Sequence, residues 1–193
     1  MELSKSSSGH YFYSLGKGEP LLLLHGFPDC AENFSGQLTF FAENGYQVIA
    51  PFLPGYHPED EELDTYQSLR IAEEIIKFTK SVTDKKISLF GHDWGASIAY
   101  GMAGLEPDLI KKMITVSVPH GISVGAAFLS DGDQQRKSWY MFFFQLPIAD
   151  LAVPLNNFNF IERLWMDWSP SWPDYKSYTD KTIAVLSKDN VLS

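Results

Sequence analysis

The chain of 193 residues carries 15 Lys and Arg against 24 Asp and Glu, a net charge of −9. That acidity argues against nucleic acid or an anionic membrane as partner, and 45% hydrophobic residues suffice for one domain with a real core plus an insertion. The single cysteine, Cys30, excludes an internal disulfide and fits a reducing, cytoplasmic setting, and no apolar run reaches the length of a membrane span or forms the core of a signal peptide.

In chain order, Tyr11–Leu15 followed by Gly16-Lys17-Gly18-Glu19 reads as an antiparallel edge strand and its turn. Leu21–Leu24 is a continuous apolar run, as a parallel strand covered on both faces requires. It ends in His25-Gly26-Phe27-Pro28, and a further strand is expected over Gln47–Phe52. Glu59-Asp60-Glu61-Glu62 with Asp64 reads as a solvated loop, with no ordered ligand spacing for a metal. A helix follows, with Leu69, Ala72, Ile75, Ile76, Thr79 and Val82 on one face and Asp64-x-x-Gln67 as a capping box. Ile87–Phe90 and Met113–Val118 read as strands, with a small-residue helix from Ala96 to Ala103 between them. Alternating β and α segments predict a mostly parallel sheet with its site at the carboxyl ends of the strands.

Between the Ile87–Phe90 strand and its helix stands Gly91-His92-Asp93-Trp94-Gly95. This is the G-x-nucleophile-x-G elbow of α/β-hydrolases, with Asp in place of Ser. The flanking glycines give the tight turn its room. A carboxylate, with a reference pKa of about 3.9, needs no base to become a nucleophile. On a saturated carbon it forms an ester that water can reopen, whereas serine would leave an ether. The plainer alternative makes Asp93 a helix N-cap. In the hydrolase fold the oxyanion hole combines the N–H after the nucleophile with one from the loop after the earlier strand, here Trp94 and Phe27. His25 reads as a structural histidine holding that loop.

His25-Gly26-Phe27-Pro28 and Gly91-His92-Asp93-Trp94-Gly95-Ala96 together resemble the α/β-hydrolase epoxide hydrolases and their haloalkane dehalogenase relatives. The likeness continues through Ala50-Pro51-Phe52-Leu53-Pro54-Gly55-Tyr56 and Ser117-Val118-Pro119-His120. It also covers Ser138-Trp139-Tyr140-Met141-Phe142-Phe143-Phe144-Gln145-Leu146-Pro147, similar to the family's first cap helix. The resemblance implies an α/β-hydrolase fold with a core over 1–120 and a helical cap over 121–193. It also implies that Tyr140 donates a hydrogen bond to the epoxide oxygen, and that Phe27, Pro28 and Trp94 contact substrate beside it. Read without the resemblance, Tyr140 belongs to the packing face of an aromatic helix. From Gly121 onward aromatics crowd the sequence, and they are expected both to line an apolar pocket and to pack on one another.

The resemblance further implies an acid and a histidine later in the chain. Only His120 lies downstream of Asp93, at the entry to the cap, and the family's second cap tyrosine has no counterpart. The expectation is therefore an N-terminal portion of a longer hydrolase, ending at Asp189-Asn190-Val191-Leu192-Ser193 within the last cap helix. Such a sheet would expose an edge able to pair with another copy. The expected activity is hydrolysis of a small apolar epoxide through an aspartyl ester, with neither metal nor cofactor. The alternatives are a haloalkane dehalogenase using the same aspartate and a non-catalytic protein holding an apolar ligand. A fluoroacetate-type dehalogenase fits less well, because Trp94 stands where that relative has an arginine.

Overall fold

The computed structural model describes residues 1–188 and Val191. The expected closing helix through Asp189, Asn190, Leu192 and Ser193 therefore lies outside the described residues. The described strands are β1 (Leu3–Lys5), β2 (Tyr11–Leu15), β3 (Glu19–Leu24), β4 (Tyr46–Pro51), β5 (Ile87–His92) and β6 (Ile110–Val116). They form one sheet in the order β1-β2-β4-β3-β5-β6. β1, β2 and β4 are linked by antiparallel pairing, while β4, β3, β5 and β6 run parallel. The connections that return the chain to parallel strands are helices α1 (Ser35–Glu43), α2 (Ser68–Val82) and α3 (Trp94–Leu105).

Leu21 to Leu24 explain why β3 is central. Leu22 and Leu24 pack on one side with Ile75, Phe78 and Ile98, while Leu21 and Leu23 pack on the other with Phe34 and Leu38. Side chains alternate across a strand, so a run without a polar residue is stable only with apolar cover on both faces. α3 lies against β5 and α2, burying Gly95, Ala96, Ile98, Ala99 and Met102, and its close approaches fall at Gly95 beside Leu24 and at Gly101 beside Ala72.

Two details of α2 depart from the sequence reading. The helix starts at Ser68, and Gln67 precedes it in an extended conformation with no side-chain cap. Asp64 instead pairs with Arg70 at 3.1 Å, so it does not form the expected capping box. Ala72, Ile75, Ile76 and Thr79 are buried as expected, but Leu69 is 55% exposed, and Ile71 and Phe78 are fully buried beside them. Asp60 departs from the solvated-loop reading as well. Its carboxylate accepts the N–H groups of Gly55 and His57 at 3.0 Å each, and burial raises its pKa to about 6.

Beyond β6 the described chain is helical: α4 (Gly121–Ser130), α5 (Gly132–Lys137), α6 (Trp139–Phe143), α7 (Ala149–Ala152), α8 (Leu155–Trp168) and α9 (Lys176–Leu186). This segment is anchored to the sheet half at specific points. The Trp165 indole donates to the Pro28 carbonyl at 2.9 Å, and the Asn33 amide donates to Thr182 Oγ1 at 3.2 Å. Val185 of α9 joins Cys30, Ala31 and Phe52 in one apolar cluster. At the far end, β6 pairs only with β5 among the described strands, and Met113, Ile114 and Val116 are exposed along it. No described helix is long and apolar enough to cross a membrane.

Phe78 is the largest fully buried side chain and touches both α2's own cluster and the ring of Phe12. Phe78→Ala is expected to lower unfolding stability by about 3–5 kcal/mol through the cavity it leaves. Urea denaturation read by circular dichroism checks this.

Candidate active site

Asp93 joins β5 to α3, and its backbone lies at φ +54°, ψ −118°. A non-glycine residue held at positive φ costs about 1–3 kcal/mol and persists only where its surroundings over-determine it. Here they do. The Asp93 N–H donates to the Val116 carbonyl of β6 at 3.1 Å, and its own carbonyl accepts the Ala96 N–H at 2.9 Å. Two glycines permit the approach: a Cβ at Gly91 would lie 2.3 Å from the Gly95 carbonyl oxygen, and one at Gly95 would lie 2.2 Å from that of Leu24. The side chain makes no cap hydrogen bond to α3, so Asp93 occupies the N-cap position without acting as a cap.

The carboxylate turns instead toward the loop after β3. The Phe27 N–H donates to Asp93 Oδ1 at 2.8 Å. Burial raises the pKa of Asp93 above the usual value, and the N–H groups of Phe27 and Trp94 together with His92 oppose that rise. Gly26 makes the approach feasible, since a Cβ there would lie 2.3 Å from Asp93 Oδ1 and 2.6 Å from the Trp94 nitrogen. Phe27, Asp93 and Trp94 thus lie together.

His25 anchors the loop from behind. It is fully buried, accepts the Leu53 N–H on Nε2 at 3.1 Å, and has Nδ1 3.1 Å from the Gly26 carbonyl oxygen. Burial depresses its pKa to about 4, so it is a neutral structural group.

A cavity of about 790 Å³ opens above Asp93 between the strand ends and the helical segment. Phe27, Trp94 and Tyr140 all line it. The Tyr140 ring packs on Trp168 at 4.7 Å, so it also belongs to an aromatic packing face, and the Phe144 ring meets Phe27 at 4.9 Å. Burial and, secondarily, the Asp93 charge raise the Tyr140 pKa to about 12. Pro28 is not on the wall: it is buried, and its carbonyl serves the Trp165 indole. Many of the expected pocket aromatics pack on one another instead, among them Phe143 on Phe160 and Trp165 on Trp172. Tyr56 lines the cavity and was not picked from the sequence. Its place on the loop after β4, at the carboxyl end of a parallel strand, was the signal available.

This strand–elbow–helix with its paired amides defines a class, and the chain belongs to it: residues 19–177 match the family of the α/β hydrolase fold. Among its relatives, the AB hydrolase superfamily protein YfhM of Bacillus subtilis is 32% identical over 149 residues, 76% of this chain and 52% of that protein. Epoxide hydrolase 4 of Homo sapiens is 32% identical over 164 residues, 83% of this chain and 45% of its own length. Epoxide hydrolase 2 of Caenorhabditis elegans is 28% identical, over 85% of this chain and 47% of its own. The chain therefore spans about half the length of the curated relatives it matches. An epoxide hydrolase from Bacillus megaterium, solved with a naphthyloxy-propanediol product, superposes on 99% of this chain and 69% of its own, with a TM-score of 0.84 at 24% identity. The epoxide hydrolase of Vigna radiata superposes with a TM-score of 0.77 at 22% identity, over 99% of this chain and 69% of its own. At these identities the structural likeness establishes the fold alone.

The His25 geometry makes stability depend on pH. The unfolded chain binds a proton on His25 below about pH 6.5, while the folded protein resists it down to about pH 4. His25 alone therefore contributes a fall in stability on acidification between those values, on the order of 3 kcal/mol, while the raised pKa of Asp60 acts in the opposite direction over an overlapping range. The advantage of wild type over His25→Gln in denaturation midpoint should shrink as the pH falls from 6.5 to about 4.

Proposed function

We propose that the protein opens small apolar epoxides through a covalent ester on Asp93. The observation that carries this is the 2.8 Å bond from the Phe27 N–H to Asp93 Oδ1 at the floor of a cavity that Tyr140 also lines. The Phe27 N–H holds Oδ1, while Oδ2 accepts no hydrogen bond from the described residues and is free to attack carbon. As the ring opens, negative charge develops on its oxygen, and a neutral phenol donates to it. Tyr140 suits that role because burial and the Asp93 charge keep it protonated at neutral pH. The apolar walls exclude water from the carboxylate, and the raised pKa of Asp93 makes it more basic than a solvated aspartate. The epoxide hydrolases among the relatives support the same substrate class.

Hydrolysis of the ester needs a group that draws a proton from water. No histidine lines the described cavity, so the ester formed by this chain is expected to persist. In that second step charge develops on Oδ1, and the Phe27 N–H that already donates to it supports an oxyanion role for this amide beside that of Trp94. Release of halide from a haloalkane is the second reading, and Trp94 favours it, because its side chain lines the same cavity and offers an indole donor.

Incubation with styrene oxide, followed by intact mass and peptide mapping, is expected to find one adduct on Asp93. Asp93→Asn should abolish it while leaving non-covalent binding nearly unchanged. A protein that binds the epoxide without ever forming the adduct would be a non-catalytic ligand holder, and adducts formed from haloalkanes only would favour the second reading. Tyr140→Phe should slow adduct formation from the epoxide by about 100-fold with little loss of stability. Quenched-flow mass spectrometry measures that rate.

A further inference from the structure

Tyr140 sits on α6, a helix of five residues, too short for its own backbone to hold a side chain in place. Burial and the Asp93 charge are the influences on its phenol, and no hydrogen bond among the described residues sets the direction of the hydroxyl. Ring packing sets it instead. The Phe144 ring lies at 6.1 Å within the same stretch of chain, and the Trp168 ring lies at 4.7 Å, tilted by 58°. Trp168 is the last residue of α8, is 41% exposed, and does not line the cavity. Among the described residues its ring partner is Tyr140. An indole this open to solvent adds less to the core than a buried one, and what it touches is the phenol.

The helix that carries Trp168 is tied to the loop of the nucleophile. Trp165 stands one turn before Trp168, on the regular stretch 159–168 of α8 that follows the left-handed residues Asn156, Asn157 and Phe158. Its indole donates to the Pro28 carbonyl at 2.9 Å, and the neighbouring Phe27 N–H holds Asp93 Oδ1 at 2.8 Å. A continuous path thus runs from the carboxylate through Phe27, Pro28 and Trp165, along one helical turn, to Trp168 and the Tyr140 ring. We propose that Trp168 is a positioning residue for the epoxide step, holding the Tyr140 phenol at a fixed distance and tilt relative to Asp93. This rests on the epoxide reading above. The phenol has to meet the ring oxygen as the bond from Asp93 Oδ2 to carbon forms and the carbon–oxygen bond breaks. A misplacement of about 1 Å costs such a step up to about 100-fold.

The test is a double-mutant cycle on the rate of Asp93 adduct formation from styrene oxide, with Trp168→Leu and Tyr140→Phe alone and together. Trp168→Leu should slow the wild-type chain about tenfold, and Trp168→Phe, which keeps a flat ring against the phenol, should restore the rate to within about twofold. In the Tyr140→Phe background, Trp168→Leu should change the rate by less than about twofold, because the hydroxyl it positions is gone. An unchanged rate in Trp168→Leu overturns the proposal, and so does a loss of the same size in both backgrounds. If Trp168→Leu melts early, Trp168→Met covers the Tyr140 ring with a flexible chain that does not fix it, and the same cycle decides. Absence of any wild-type adduct removes the functional reading and this role together. An adduct that Tyr140→Phe does not slow removes the parts given to Tyr140 and Trp168 and leaves that of Asp93. One that Tyr140→Phe slows and Trp168→Leu does not removes this role only.

Discussion

The close approach of two loops, one after β3 and one after β5, is the constraint on which the rest of the molecule depends. Asp93 can hold its backbone at φ +54° only because β6 takes its N–H, α3 takes its carbonyl, and Gly91 and Gly95 leave no side chain in the way. The carboxylate can then reach the Phe27 N–H only because Gly26 has no Cβ to fill the same space. Each of these contacts is short, and none involves a flexible group that could relax. The local strain is balanced by the packed sheet beneath, where β3 is covered on both faces.

Electrostatics follow from that geometry. A carboxylate drawn out of water becomes a stronger base, and backbone amides are the donors that hold it without supplying a proton. Around it, burial keeps His25 neutral, and Tyr56 and Tyr140 resist ionisation beside the Asp93 charge. The cavity wall thus combines the Asp93 carboxylate with neutral phenols, and a second acidic residue, Asp150, lines it as well. Such a wall disfavours binding of an anion. The helical segment closes this environment, and it is tied to the loop of Phe27 through Phe144 and to that of Pro28 through Trp165.

The elements most legible in the sequence were those whose residues allow one solution. The apolar run at Leu21–Leu24 and the glycine-flanked elbow lie where they were expected, and Tyr11–Leu15 is an antiparallel strand as expected but not the edge, because β1 pairs along its outer side. The errors fall where side chains decide between near-equal alternatives. Asp64 carries a good capping pattern, but Arg70 offers it a charge partner and the helix begins four residues later. Ala72, Ile75, Ile76 and Thr79 of the expected α2 face are buried, but Leu69 is turned to solvent, and Ile71 and Phe78 extend the face in its place. Asp60 sits in an acidic run that reads as solvated, yet two backbone N–H groups draw it inward.

By itself, the sequence determined the alternation of strands and helices, the elbow with its aspartate, and the loop that meets it. Those depend on residue types whose backbone or burial requirements are nearly exclusive: glycine at a close approach, leucine on both faces of a strand. Only the tertiary structure decided which aromatics line the cavity, Tyr56 among them, and that Pro28 lies behind its wall. The reason is physical. An aromatic side chain carries the same sequence signature whether it packs on another ring or lines a pocket, so its direction is set by neighbours distant in the chain.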